Sequence, residues 1–219
     1  MKKSFAVLGL GRFGTELAKE LTALGAEVIS IDTDEENVHK VADYVDNCYI
    51  CDMTNEVGLR ELGVQNVEHA IVAIGSNLQS SIISTIILKE FNIPKITVRV
   101  DDDYFVPVLK KLGATDVVSP QKLAGINLAN KIVSDTFLDY YNLAEDYVIV
   151  KMLVNEQFIP QSLIDMKIRN RFDINLLLIE RNSSLFLPKG TDEIQPNDIL
   201  FVFGEKKKVS KFDEFINAL

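Results

Sequence analysis

The sequence predicts an α/β fold: a doubly wound parallel sheet with helices on both faces, then a crossover helix and a small C-terminal α+β domain. Three observations lead there. Short apolar runs alternate with segments of helical period throughout residues 1–120. Those runs are mostly apolar on both faces, as strands are in a sheet covered on two sides. Beyond Asn142 the helical periods give way to short strands with turn residues between them.

Ser4 to Gly9 is the first expected strand, an apolar run ended by glycine. Leu17, Ala18, Leu21 and Leu24 then mark a helix by their spacing before Gly25. Val28–Ile31, Cys48–Ile50, Ala70–Ile74, Ile96–Val100 and Asp116–Val118 supply five more strands. The intervening helices are Glu35–Tyr44, Asn55–Leu62, Ser76–Phe91 and Asp103–Leu112. This alternation is that of a Rossmann domain. Gln121–Tyr140 reads as one amphipathic connecting helix, with Leu123, Ile126, Ala129, Ile132, Val133 and Phe137 on a stripe suited to an interface. Strands at Tyr147–Val154, Asn175–Glu180, Ser184–Leu187 and Ile199–Phe203 and a helix near Lys208–Asn217 complete the chain. The expected divisions are therefore 1–120, 121–142 and 143–219.

Composition narrows the function. With 219 residues, 47% hydrophobic and 25% charged, the chain can bury one medium or two small cores, which excludes disorder and collagen-like repeats. Its 23 basic and 32 acidic residues give a net charge of -9, with no basic run able to coat a phosphate backbone, so nucleic acid is not expected as a partner. The longest apolar stretches, such as Ser81–Leu88, fall short of the roughly 18 residues of a membrane span. Lys2 and Lys3 lead into an apolar run broken by Gly9, Gly11 and Arg12, unlike a signal peptide. Together with only two cysteines, this points to the cytoplasm and against a disulfide framework.

Gly9, Gly11 and Gly14 form G-x-G-x-x-G between the first strand and the first helix. The first glycine permits a tight turn, the second lets backbone approach a pyrophosphate, and the third allows close helix packing; the helix N-terminus offers free N–H groups to the anion. Asp32, at the end of the second strand, suits the ribose hydroxyls of an adenine nucleotide and would repel a 2′-phosphate. Arg12, at the first helical turn, is placed to fold back over a phosphate chain. Cys48 and Cys51 make C-x-x-C, but on or just after a strand they point to opposite faces, and His39 and His69 do not complete a metal set. Tyr147 and Lys151 have the spacing of a dehydrogenase pair, yet a strand would hold them about 13 Å apart. No histidine follows residue 69, leaving no evident general base for hydride chemistry. Lys167, Arg169 and Arg171 alternate, with Arg181 near the end of the next strand; on an extended chain such cations either converge on an anion or form a solvated edge.

The chain resembles, over nearly its whole length, the cytosolic regulatory subunits of Ktr/Trk potassium uptake systems, built from an RCK (KTN, TrkA-N) domain and a TrkA-C domain. The matching segments are Val7–Gly14, Asp32-Thr33-Asp34, Asp52-Met53-Thr54, Ala73–Asn77, Gly113-Ala114, Ser119-Pro120, Ile164-Asp165 to Arg169, and Asn197-Asp198 to Gly204. The resemblance implies a homo-octameric ring docked beneath a membrane potassium-translocating subunit. ATP and ADP, or NAD(H), are then expected at Gly9, Gly11, Arg12, Phe13, Gly14, Asp32, Thr33, Asp52, Met53, Ala73, Ile74, Gly75, Asn77 and Arg99. It further implies cyclic di-AMP at Leu163, Ile164, Arg169, Asn175 and Pro188. There are three departures. Cys51 stands where relatives often have glycine. Gln121 replaces a glutamate proposed to hold a cation, and a neutral amide is a weak cation ligand, so no metal site is expected. Lys167 replaces an acidic residue beside the cyclic di-AMP segment. An NAD-dependent oxidoreductase and an NAD(H)-responsive redox sensor are the alternatives to a nucleotide-gated, non-enzymatic regulator.

Overall fold

The computed structural model describes residues 2–75, 77–133, 136–144 and 146–217, and divides into two compact units, Met1–Lys122 and Leu123–Leu219. The first unit runs β1 (Ser4–Leu8), α1 (Arg12–Ala23), β2 (Glu27–Asp32), α2 (Glu35–Ala42), β3 (Asn47–Ile50), α3 (Glu56–Glu61), β4 (His69–Val72), α4 (Leu78–Glu90), β5 (Lys95–Arg99), α5 (Val106–Leu112) and β6 (Asp116–Val118). Its six strands pair in parallel in the order β3-β2-β1-β4-β5-β6, the doubly wound arrangement expected from the alternation. Because successive strand residues face opposite ways, β1 divides its side chains between two cores. Ala6 and Leu8 pack with Leu59, Leu88, Ile96 and Leu109 on one face. Val7 packs with Ala18, Val28, Val38 and Val41 on the other.

Side-chain caps fix several helix starts. Asp34, Asn55 and Asn77 each accept a backbone N–H from the first turn of α2, α3 and α4. A cap at Asn77 starts α4 two residues later than the apolar pattern had indicated. Ser76, within the Ala73–Asn77 motif, lies outside the described residues.

The expected long crossover helix is shorter and ends in a strand. Helix α6 covers Pro120–Val133, and β7 (Phe137–Asn142) runs antiparallel to β8 (Tyr147–Leu153), with Tyr140 opposite Val150. A spacing of four residues from 133 to 137 fits one helical turn or two strand pairs equally well, which is why periodicity alone extended the helix. Phe137 instead packs against the core of the second unit. Of the remaining stripe, the side chain of Val133 lies outside the described residues.

The second unit continues through β9 (Gln161–Ser162), α7 (Leu163–Met166), α8 (Ile168–Phe172), β10 (Asn175–Arg181), β11 (Ser184–Phe186), β12 (Glu193–Ile194), β13 (Ile199–Glu205) and α9 (Lys206–Ile216). A five-stranded antiparallel sheet in the order β11-β10-β13-β8-β7 buries Val148, Val150, Met152, Leu200 and Val202 together with Val209, Phe212 and Ile216 of α9. The segment 167–171, expected to be extended, is a left-handed residue, Lys167, followed by helix from Ile168: Arg171 N–H donates to Lys167 O, and the alternate cations do not share a face.

Candidate functional site

At the C-terminal edge of the parallel sheet the loops after β1 to β5 enclose a cleft of about 550 Å³. It lies where the strand order reverses between β1 and β4, the position at which doubly wound sheets open a crevice. Gly9 takes φ +99°, and a Cβ there would come within 3.1 Å of Ile74 N, so the turn after β1 touches the turn after β4. A Cβ on Gly14 would stand 1.9 Å from Gly9 O; the third glycine serves the packing of α1 on β1 and does not line the cleft. Gly11 has open space where its Cβ would project. It also precedes α1, a helix with neither a side-chain cap nor an acidic residue in its first turn. The first N–H groups of that helix have no intrahelical acceptor and form its positive end.

Asp32, only 7% exposed, ends β2 at the cleft wall. Its Oδ2 accepts Leu10 N–H at 2.5 Å and its Oδ1 accepts Asp34 N–H at 2.9 Å, which orients the carboxylate and leaves acceptor capacity toward the cleft. Asp52 is exposed on the rim, and donation from the Thr54 N–H and hydroxyl holds its carboxyl below the usual range. Opposite Asp32 stands Arg99, whose Nη2 donates to Asp101 at 3.0 Å. The arrangement thus offers acceptors to hydroxyl groups at one end, backbone N–H groups to an anion in the middle, and a guanidinium at the other end.

Eleven of the expected site residues line this cleft: Gly9, Gly11, Asp32, Thr33, Asp52, Met53, Ala73, Ile74, Gly75, Asn77 and Arg99. Phe13 and Gly14 lie behind it. Arg12 is exposed at the first position of α1 and is not brought to the wall.

The second unit has its own cleft, of about 620 Å³, between α7, α8, the start of β10 and the loop after β11. Leu163, Ile164, Arg169, Asn175 and Pro188 all line it, joined by Lys167 and Lys189. Two other cations named from the sequence are engaged elsewhere. Arg171 lies 4.6 Å over the ring of Phe215, and Arg181 forms a two-pronged pair with buried Asp198 at 2.7 and 2.8 Å.

The cysteines divide between the two faces of the sheet. Cys48 packs on the side of Val28, Cys51 on the side of Leu59, and partial burial pushes both thiols up. Tyr147 and Lys151 lie on strand β8, and Lys151 pairs with Glu180 at 3.0 Å.

The TrkA-N domain family matches residues 5–120, and the TrkA-C domain family matches residues 147–217. The chain is 40% identical over 215 residues to Ktr system potassium uptake protein C of Bacillus subtilis (strain 168), covering 98% of this chain and 97% of that protein. The chain belongs to the Ktr/TrkA family of potassium-uptake regulatory subunits. Ktr system potassium uptake protein A of the same organism is 37% identical over 212 residues, 96% of each chain. The solved GsuK channel bound to NAD shares the fold, with a TM-score of 0.67 at 14% identity over 99% of this chain and 40% of that one. The resemblance read from the motifs is borne out.

Within the TrkA-N unit, three cleft residues were not expected: Asn37, Ser80 and Asp101. Asn37 lies one turn into α2, where its Nδ2 reaches Asp32 Oδ2 at 3.5 Å. Asp101 is two residues past Arg99, the last residue of β5, and carried a weak signal as the first of three consecutive acids after a strand that ends in a cation. The TrkA-C cleft adds Ile168, Asn170, Ile174, Leu176 and Gly190, of which only Leu176 fell within an expected element, the strand Asn175–Glu180.

Proposed function

We propose that this chain is the nucleotide-binding regulatory subunit of a Ktr-type potassium uptake system, with ATP and ADP competing for the TrkA-N cleft. The observation that carries this reading is the convergence of the Asp32 carboxylate and the uncapped N-terminus of α1 in one cleft. Adenine nucleotides have a ribose diol and a phosphate chain at that spacing. Gly9, Gly11, Arg12, Phe13, Gly14, Thr33, Asp52, Met53, Ala73, Ile74, Gly75, Asn77 and Arg99 form the remainder of the binding region in this reading. A non-enzymatic role is supported by the regulatory membership and by the lack of histidine in residues 123–219.

The Ktr system proteins A and C, which are similar throughout their length, support action on a membrane potassium-translocating partner, as does the channel neighbour. No helix among the described residues is long and apolar enough to cross a membrane, so ion passage falls to that partner. The proposed assembly is a homo-octameric ring at the cytoplasmic face. The TrkA-C cleft, with Arg169 and Lys167 beside Leu163 and Ile164, suits an anionic ligand with apolar bases, and cyclic di-AMP is the proposed occupant. NAD(H) is a second ligand for the first cleft, because Asp32 meets an adenosine ribose in either case.

A thermal-shift series with ATP, ADP, NADH, NADPH and cyclic di-AMP tests these assignments. A ligand at a hundred times its Kd adds about 2.7 kcal/mol to the unit that binds it. ATP and ADP are expected to raise the midpoint, and NADPH to leave it in place. No shift with ATP or ADP at millimolar concentration overturns the nucleotide reading.

A further inference from the structure

Strand β3 closes one side of the parallel sheet, and among the described residues no strand pairs with its outer edge. Just past the strand, Cys51 N–H donates inward to Asp32 O at 3.0 Å. Alternate residues of a strand bond to the same neighbour, so Tyr49 also faces β2, and Cys48 and Ile50 turn their N–H and C=O groups outward. Sheet edges are ordinarily blunted by lysine, proline or a bulge. None of these protects β3: no lysine, arginine or proline occurs from Ala42 to Gly58, and the register with β2 runs without a break. Tyr44, Tyr49, Ile50 and Val57 are exposed in the same stretch. An open, apolar edge of this kind is a template for a further strand.

The charges around it say what that strand carries. Asp43, Asp46, Asp52 and Glu56 are all exposed, and of these only Glu56 pairs with a cation, Arg60, among the described residues. Beside the start of β3 lies a hollow of about 380 Å³, where Phe5, Tyr49 and Leu62 offer apolar wall and Glu27 a carboxylate. Such a hollow suits a long cationic side chain, its hydrocarbon stem against the rings and its charge at the acid. A second copy of this chain is a poor occupant. Antiparallel self-pairing about Tyr49 would oppose the acids at the two ends of the edge, Asp46 and Asp52, and like charges placed opposite each other repel.

We propose that the outer edge of β3 receives an added strand from a partner protein, an extended segment in which lysine or arginine alternates with apolar residues. Main-chain bonds to Cys48 and Ile50 hold it, one cation enters the hollow, and others face Asp43 and Asp46. Cytoplasmic segments of membrane proteins carry an excess of lysine and arginine, so the source assigned to the strand is a cytoplasmic segment of the membrane subunit. That source rests on the function proposed above, whereas the edge and its chemistry do not.

Fluorescence anisotropy of the full-length protein with a short labelled peptide of alternating lysine and valine, at physiological salt, tests the proposal. The wild type is expected to bind this peptide and not one of alternating glutamate and valine. Methylating every backbone nitrogen of the lysine peptide keeps its charges, removes its donors and should weaken binding at least tenfold. Asp46→Lys should weaken it as much, while Glu156→Lys, an equal charge change in the TrkA-C unit, should leave it within twofold. If Asp46→Lys does not fold, as judged by circular dichroism, the methylated peptide decides alone. Absence of binding by the lysine peptide, equal binding of the methylated peptide, or equal weakening by the two lysine variants overturns the added strand. Detergent-solubilised membrane subunit is expected to displace the peptide, and a lack of displacement overturns the source assigned to it. An ATP thermal shift on the same preparations reports separately on the nucleotide reading, whose failure would leave peptide binding untouched.

Discussion

Asp32 carries two duties that pull in one direction. As an acceptor for Leu10 and Asp34 N–H groups it fixes the turns after β1 and β2, and its remaining lone pairs face the cleft. Asp32→Ala therefore removes a charged acceptor from a bound ribose and also leaves a buried N–H unpaired. We expect a loss of about 1.5–3 kcal/mol in adenine-nucleotide binding, the range for hydrogen bonds to charged groups, visible as a 10- to 150-fold rise in Kd by calorimetry. Unaltered ATP and ADP affinities would take Asp32 out of the site. The position of this residue was legible in the sequence because a strand end 18 residues after Gly14 is a local landmark. Its bond to Leu10 was not, since that pairing depends on how β1 and β2 lie side by side.

At the scale of elements, the TrkA-C unit is tied by the pair between Arg181, at the end of β10, and Asp198, just before β13. Asp198 is 1% exposed and also accepts Gln195 N–H at 2.8 Å, while Arg181 adds a donation to Glu193 O at 2.8 Å. The side-chain hydrogen bond to Asp198 raises the arginine's pKa further, so Arg181 keeps its charge. Removing one partner of a buried pair strands the other charge. Arg181→Met should destabilise the unit by about 3 kcal/mol, the lower end for such pairs because Arg181 is 30% exposed, and chemical denaturation followed by circular dichroism would measure it. A change below 0.5 kcal/mol, the scale of an ordinary surface substitution, would mean that water compensates Asp198. This arginine had been grouped with the cations near Arg169; what separates them is the antiparallel return of β13, which brings residue 198 to residue 181.

For the whole molecule the telling surface is helix α6. Leu123, Leu128 and Ile132 are 57%, 59% and 69% exposed, and with Ile126 they emerge on more than one side of the helix. A helix apolar around its circumference is ordinarily buried, so its exposure in a single chain implies cover in the assembled protein. Ile132→Asp is expected to convert the oligomer to smaller species in multi-angle light scattering without lowering the melting temperature of either unit. A monomeric wild type, or an oligomer indifferent to the change, would remove α6 from the interface. Phe137, first placed on the same stripe, is no test of assembly: as a strand residue in the TrkA-C core it would report folding.

The sequence by itself determined the alternation of strands and helices in the TrkA-N unit, the glycine turn and the acidic residue that ends β2. Those features are local: period, a φ of +99° at Gly9, and a fixed distance along the chain express them within a few residues. It also carried enough motif to reveal the family. Tertiary structure alone decided the end of α6, because a spacing of four satisfies both a helix and a strand until β8 offers an unpaired edge to β7. The separation of Arg181 from the TrkA-C cleft and the Arg99–Asp101–Gln121 contacts were likewise decided there. Each depends on groups brought together by sheet pairing or by a returning loop, and hydrogen bonds of that kind leave no period in the sequence.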